Sequence, residues 1–234
     1  MKAKFLIHCL TATALATGGL LAEEPNIRVC VQLIELSHPE LTKLLGEPGN
    51  TGTKLHPAAM ALTRDGRAKL IDTSVITTIS KIKATVESIA GRTYPTDPEP
   101  SSGVGWGGPS HFPIPKIPNA LGRLGGSAAW DTRNTGMSFE AEPHYDEATT
   151  TITVRMVPEW VGMTTPTTWV EYVDEWGDAS DRRPTFTTLR CNTSFTLAAG
   201  RFALAAVLTP QPEPPPPAGT RKVLVFVRAD LPRQ

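Results

Sequence analysis

Cysteine and histidine are scarce, with three and five residues in a chain of 234. Beyond the first 22 residues the histidines are His38, His56, His111 and His144, and none stands at metal-ligand spacing from another, from a cysteine or from an acidic partner. No metal and no cofactor is therefore expected. A nucleophile elbow, a P-loop and a strand-borne G-x-G-x-x-G are also missing, since the glycines of GVGWGG (103–108) lie in a proline-rich stretch with no helix to follow. Glu140 and Glu142 have the spacing of a glycosidase pair, but an ordinary polar strand face produces the same spacing, and no second carboxylate pair faces them. The expectation is a protein that is not an enzyme. An excess of one charge is lacking too: 23 basic and 23 acidic residues give a formal net charge of zero, without the basic surplus of a nucleic-acid binder. After residue 22 no apolar run approaches the roughly 20 residues of a membrane-spanning helix, so any membrane crossing would have to be a β-barrel. Composition leaves membrane association open.

Proline, by contrast, is abundant at 22 residues and must concentrate in loops and at sheet edges. A hydrophobic content of 40% and a charged content of 20% are those of a folded protein, and the length suits a single β domain. Residues 1–22, MKAKFLIHCLTATALATGGLLA, place Lys2 and Lys4 before an apolar run that ends in small residues, the layout of a signal peptide cleaved after Ala22. Removing Lys2 and Lys4 leaves 21 basic residues against 23 acidic ones. The expected location is outside the cytoplasm. In such a compartment Cys30 and Cys191 admit two readings. A disulfide would close a loop of about 160 residues and stabilise by about 4 kcal/mol. Alternatively, they are two unpaired small hydrophobes in strands.

Periodicity predicts one mainly β domain over 23–234 with two short helices, an α+β chain built on antiparallel sheet. IRVCVQLIEL (27–36) is a strand buried on both faces. Ser37 and Glu40 form a capping box for a helix with Leu41, Leu44 and Leu45 on one stripe, stopped at Gly46. A second helix is predicted over His56–Arg64, with Pro57 in its first turn and Gly66 beyond its end. The β-branched density of 68–95 predicts two strands around Ser80 and Lys81, with a helix over 81–91 as the alternative. Two Pro/Gly-rich loops follow from composition, at 95–129 and 209–219. The first carries Trp106, His111 and Phe112, either as a partner-contact segment or as a surface excursion.

The clearest alternation lies in 130–162. Met137, Phe139, Ala141 and Tyr145 fall on one parity, and after a polar break so do Ile152, Val154, Met156 and Trp160, which describes a β-hairpin. A turn centred between Glu147 and Ala148 would set Glu140 against Arg155 and Phe139 against Met156. Farther on, Trp169, Tyr172 and Trp176 stand among acidic residues, as a partner patch or as a strand with interfacial aromatics before a solvated loop. TTLRCNTSFTL and RFALAAVL are expected to pair around Ala198–Gly200, and RKVLVFVRADL to close the chain as a strand.

TRNTGMSFEAEP, the turn and TTITVRMVPEWV, the later RPTFTTLRCNTSFTLAAGRFALAAVL and the final strand together resemble the core domain of bacterial secretins. These are the ring-forming outer-membrane channels of type II and type III secretion and of type IV pili. The matching positions are Gly136, Pro143, Pro158–Glu159, Gly200 and 203–208. The resemblance implies a secretin-core-like sheet with long hairpins and a structural role, assembling with or docking onto an envelope secretion or pilus apparatus. It also implies envelope or secretion-system partners, a homo-oligomer, and a place in the periplasm or outer membrane. Where secretins carry an apolar VPVLGDIP-type run this chain has PQPEPPPPAG, and only about five residues separate the leader from the first strand, leaving no room for ring-building modules. A shortened relative without a gated pore is the expectation. The alternative is a secreted β-rich binding module whose Trp106, Trp169, Tyr172 and Trp176 offer aromatic surface to a glycan or protein.

Overall fold

In a computed structural model of the chain, the described residues are 24–232 apart from 48, 50–51, 101–123, 165, 175–176 and 211–219. The expected signal peptide lies outside them. The observed class is the expected one, mainly antiparallel β with two short helices. The first sheet has the order β10-β11-β1-β2, from β1 (Asn26–Ser37), β2 (Ala68–Ile79), β10 (Ala203–Leu208) and β11 (Arg221–Asp230). The second runs β3-β4-β5-β8, from β3 (Ala84–Pro100), β4 (Leu124–Asp146), β5 (Thr151–Met163) and β8 (Phe186–Arg190), with β9 (Thr193–Ala198) also on β5. β6 (Thr167–Asp174) and β7 (Gly177–Arg183) form a two-stranded sheet of their own.

β1 is apolar on both faces because both are covered. Ile27, Val29, Val31 and Leu33 meet Met137, Phe139, Ile152, Val154 and Met156 of the second sheet in the main core. Ile34 and Leu36 point the other way, onto α1 (His38–Gly46) and α2 (Leu55–Arg64), and make a smaller core with Leu41, Leu44, Leu55, Ala59, Leu224 and Phe226. Full burial of one such side chain is worth about 1.5–3 kcal/mol, so the strand that serves both cores anchors the molecule. The Ser37 hydroxyl accepts from the Glu40 N–H at 3.4 Å, while the Glu40 carboxylate takes Arg67 instead of turning back to the cap, so half of the capping box is made. Leu41 and Leu44 are buried and Leu45 is exposed. α2 begins one residue earlier than predicted, and Gly66, at φ +73°, follows it.

Three expectations are corrected. The hairpin of β4 and β5 pairs Glu142 with Arg155, Ala141 with Met156 and Phe139 with Pro158, two residues away from the predicted register. Its turn is centred one residue later because Asp146 accepts from the Ala148 N–H (3.0 Å) and the Thr149 hydroxyl (2.8 Å), and Thr150 takes a left-handed φ of +53°. A slip of two leaves every side chain on its predicted face, and the same apolar set is buried. The segment 84–91 is strand, as expected, and the helical alternative is not taken. Strand pairing takes in both ends of the predicted 95–129 loop, since β3 continues to Pro100 and β4 starts at Leu124. Finally, β9 and β10 do not pair with each other: β9 lies on β5 and β10 on β11. The turn between them hands the chain from one sheet to the other, with Gly200 at φ +80° donating to the Ala229 carbonyl at 2.8 Å.

Candidate interaction surface

Cys30 and Cys191 are free thiols. Cys30 shares the parity of Gln32 and Ile34, on the face of β1 away from the main core, whereas Cys191 packs against the main core itself. Alternation along β1 thus puts the two thiols on opposite faces of the first sheet. Burial pushes both thiol pKa values up. Trp106 and Trp176 lie outside the described residues, and Trp169 and Tyr172 stand on β6. An aromatic that sequence reasoning left aside is Trp130 on β4, 63% exposed. Its signal was its place six residues before Gly136, beyond the reach of the buried alternation.

The second sheet forks at Gly136. From Gly136 to Ala141, β4 is paired on both sides, by β3 and β5; from Leu124 to Thr135 only β3 accompanies it, and from Glu142 to Asp146 only β5. Gly136 has φ +116°, and a Cβ there would stand 2.1 Å from the Ser88 carbonyl oxygen, so the close approach of β3 and β4 at the fork requires glycine. Beyond it the two strands form a ribbon exposed along Ser88–Thr93 and Trp130–Asn134. The ribbon is tied to β8 at one place. Tyr94 lies 5.1 Å from the Phe186 ring and donates to Asp131 at 3.1 Å. Arg133 sits 5.2 Å over the same Phe186 ring and donates to the Thr188 hydroxyl at 3.0 Å. Arg183, at the end of β7, donates to the Thr96 carbonyl at 2.7 Å, bringing the second ribbon, β6 and β7, alongside the first.

A shallow concavity of about 360 Å³ opens at the fork, lined by Glu87, Ile89, Arg133, Gly136, Glu159 and Val161. Glu87 accepts from Ser138 at 3.3 Å, and Glu159 lies 3.5 Å from Arg190. A second, of about 370 Å³, lies between Lys81, Glu142, His144, Thr153 and Arg155 on the polar face of the hairpin. There Glu142 meets Arg155 at 4.0 Å, and the neighbouring Glu140 is taken by Lys83 at 2.9 Å. Exposed pairs of this kind are worth only about 0–1 kcal/mol. Among the described residues no three of His, Cys, Asp and Glu gather as metal ligands. These surfaces have the chemistry of contact: ladder edges, an exposed tryptophan, and paired charges.

His56 is set into the seam between α2 and the first sheet. Its ring stacks on Phe202 at 3.7 Å and 11°, meets Phe226 edge-on at 5.1 Å, and its Nε2 lies 2.7 Å from the Gln32 side-chain oxygen. Burial, and then the nearby Arg228 guanidinium, lower its pKa below the ordinary histidine value.

No protein-family model matches the chain, and no curated protein matches it. Solved structures do align with most of its length. They are secretins. The InvG secretin domain β-barrel of the Salmonella SPI-1 injectisome aligns with a TM-score of 0.45 and 9% identity, covering 90% of this chain and 64% of that one. The type II secretin GspD of enteropathogenic Escherichia coli gives 0.44 and 11%, over 90% of this chain and 70% of its own. ExeD of Aeromonas hydrophila gives 0.39 and 10%, over 90% and 49%. This chain therefore spans just under two thirds of the InvG chain.

Proposed function

We propose that this chain is an exported, non-enzymatic structural protein that assembles with or docks onto an envelope secretion or pilus apparatus. The observation that carries the proposal is the pair of ribbons. A packed two-sheet core holds β3 with β4, and β6 with β7, out as two-stranded ribbons. An isolated two-stranded ribbon is marginal in water and gains stability when further strands or a packing surface complete it. Such ribbons suit a component whose assembled form supplies the missing contacts. The secretin-like order of strands and glycines in the sequence supports envelope machinery as the setting.

The test is fractionation of the native host. Cells are gently lysed, and the chain is followed by sedimentation of detergent-extracted envelopes and by hydrogen exchange of 88–94 and 130–135. The expected result is migration in a high-mass assembly together with secretion or pilus proteins, with those ribbon amides protected relative to the isolated chain. Recovery of all the protein as a free species in the osmotic-shock fluid, with ribbon exchange unchanged, would overturn the reading. Retention on an immobilised glycan, lost on substitution of Trp169, would instead favour the secreted binding module.

A further inference from the structure

A strand at the edge of a sheet offers a row of unpaired N–H and C=O groups, and β proteins guard such edges with charges, prolines, bulges or short length. Among the described residues the edges are guarded unequally. β3 carries Glu87 and Arg92 along its length, and Pro95, Pro98 and Pro100 at its far end. β8 and β9 are five and six residues long, and β8 ends in Arg190. β10 has six residues and a register shift between Leu204 and Ala206. β6 and β7 carry Glu171, Asp174, Asp178, Asp181, Arg182 and Arg183.

β2 differs. It has 12 residues and is paired on one side only, by β1. Its guards, Lys69, Asp72 and an irregularity opposite Leu33 and Ile34, all stand in its first half. The second half, TSVITTI from Thr73 to Ile79, has no charge, no proline, no glycine and no bulge. Val75 and Ile79 are each 47% exposed on it.

We infer that this half-edge is an interface with a second copy of the same chain, two β2 strands pairing antiparallel about a two-fold axis and joining two four-stranded sheets into one of eight. The charges at the ends of the window choose the occupant. Asp72 precedes it and Lys81 follows it. Antiparallel self-pairing sets each Asp72 end beside the Lys81 end of the other copy, whereas parallel pairing would set like upon like. The window itself offers a foreign strand no charge to select. An axis perpendicular to the sheet keeps helix-side faces together and core-side faces together, which restricts the register to shifts of two. Centring on Thr77 puts Val75 across from Ile79 twice, so the two exposed apolar side chains cover each other, and brings Thr73 opposite Lys81. This pairing is independent of any docking on envelope machinery.

The test is sedimentation velocity of the mature chain at high micromolar concentration, with near-ultraviolet circular dichroism to verify the fold. The wild type should sediment as a dimer. Val75 and Thr77 are both exposed positions: Thr77→Lys sets two like charges across the axis, Val75→Lys replaces the apolar cover of Ile79 with a charge, and each should weaken self-association about tenfold or more. Thr77→Cys should give a disulfide-linked dimer on mild oxidation, above the wild-type baseline set by Cys30 and Cys191, whereas Lys69→Cys should not. A wild type that remains monomeric, a dimer that persists in both lysine variants, or open polymers in place of a closed pair would each overturn the inference.

Discussion

At Gly136, φ is +116° and an added Cβ would stand 2.1 Å from the Ser88 carbonyl, so Gly136→Ala meets both backbone strain and a clash with main chain that cannot move aside. The strain alone costs about 1–3 kcal/mol. Urea unfolding should show a loss of about 3 kcal/mol or more, and a loss under about 1 kcal/mol would mean that the fork relaxes freely. His56 sets a second expectation. Its folded-state pKa is lowered, first by burial and then by Arg228, so the unfolded chain binds the proton more readily. The contribution of the neutral ring is fully present above the ordinary histidine value near 6.5, and it is lost as pH falls below that value towards the folded-state pKa. Stability should therefore decline from pH 7 to pH 5, and His56→Phe, which keeps an aromatic ring in the seam but cannot titrate, should flatten that part of the profile. An unchanged slope in the variant would assign the decline to other groups. Neither residue's role was legible in the sequence. In the sequence Gly136 stands out only for its place in a family-like pattern, and nothing marks His56 as a packed ring, because its partners Gln32, Phe202 and Phe226 come from distant segments.

The elements themselves were far more legible. Alternation gave β1, β4, β5 and β11, and cap chemistry gave α1 and α2, because those signals are local. Pairing partners were not, because they depend on turn geometry and on which sheet has a vacant edge. The hairpin turn moved one residue through the Asp146 side-chain contacts, and Ala198–Gly200, which has the composition of a hairpin turn, became the crossing between sheets. The proline-rich composition of 95–129 also concealed strand pairing at both of its ends. The fork yields a prediction at this scale. In the isolated chain, amides of 137–141, flanked by strands on both sides, should exchange slowly, while those of 130–135, with β3 alone, should exchange orders of magnitude faster. Phe139→Ala, emptying a fully buried site in the slow part, should cost about 3–5 kcal/mol. Uniform protection along β4 would show that the ribbon is as stable as the core.

For the whole molecule, the question is whether the proposed envelope component could itself be a pore. Its two ribbons are unequal. β3 and β4 have 17 and 23 residues, ample for the roughly 9–11 of a membrane-crossing strand, but β6 and β7 have eight and seven. The short ribbon also carries Glu171, Asp174, Asp178, Asp181, Arg182 and Arg183, an expensive set for a lipid-facing wall. In the sequence, Pro214–Pro217 occupy the place where the secretins it resembles have an apolar run, and consecutive prolines bring no amide hydrogens to a ladder. A closed barrel needs every strand long enough and every neighbour able to donate. The expected outcome is a mature protein that stays in solution without detergent once purified and gives no conductance steps in planar bilayers, whether single or paired through β2. Regular conductance steps from the purified chain, abolished by a charge at Ile89 on the exposed ribbon, would establish a pore and show that the short ribbon is completed by neighbouring copies.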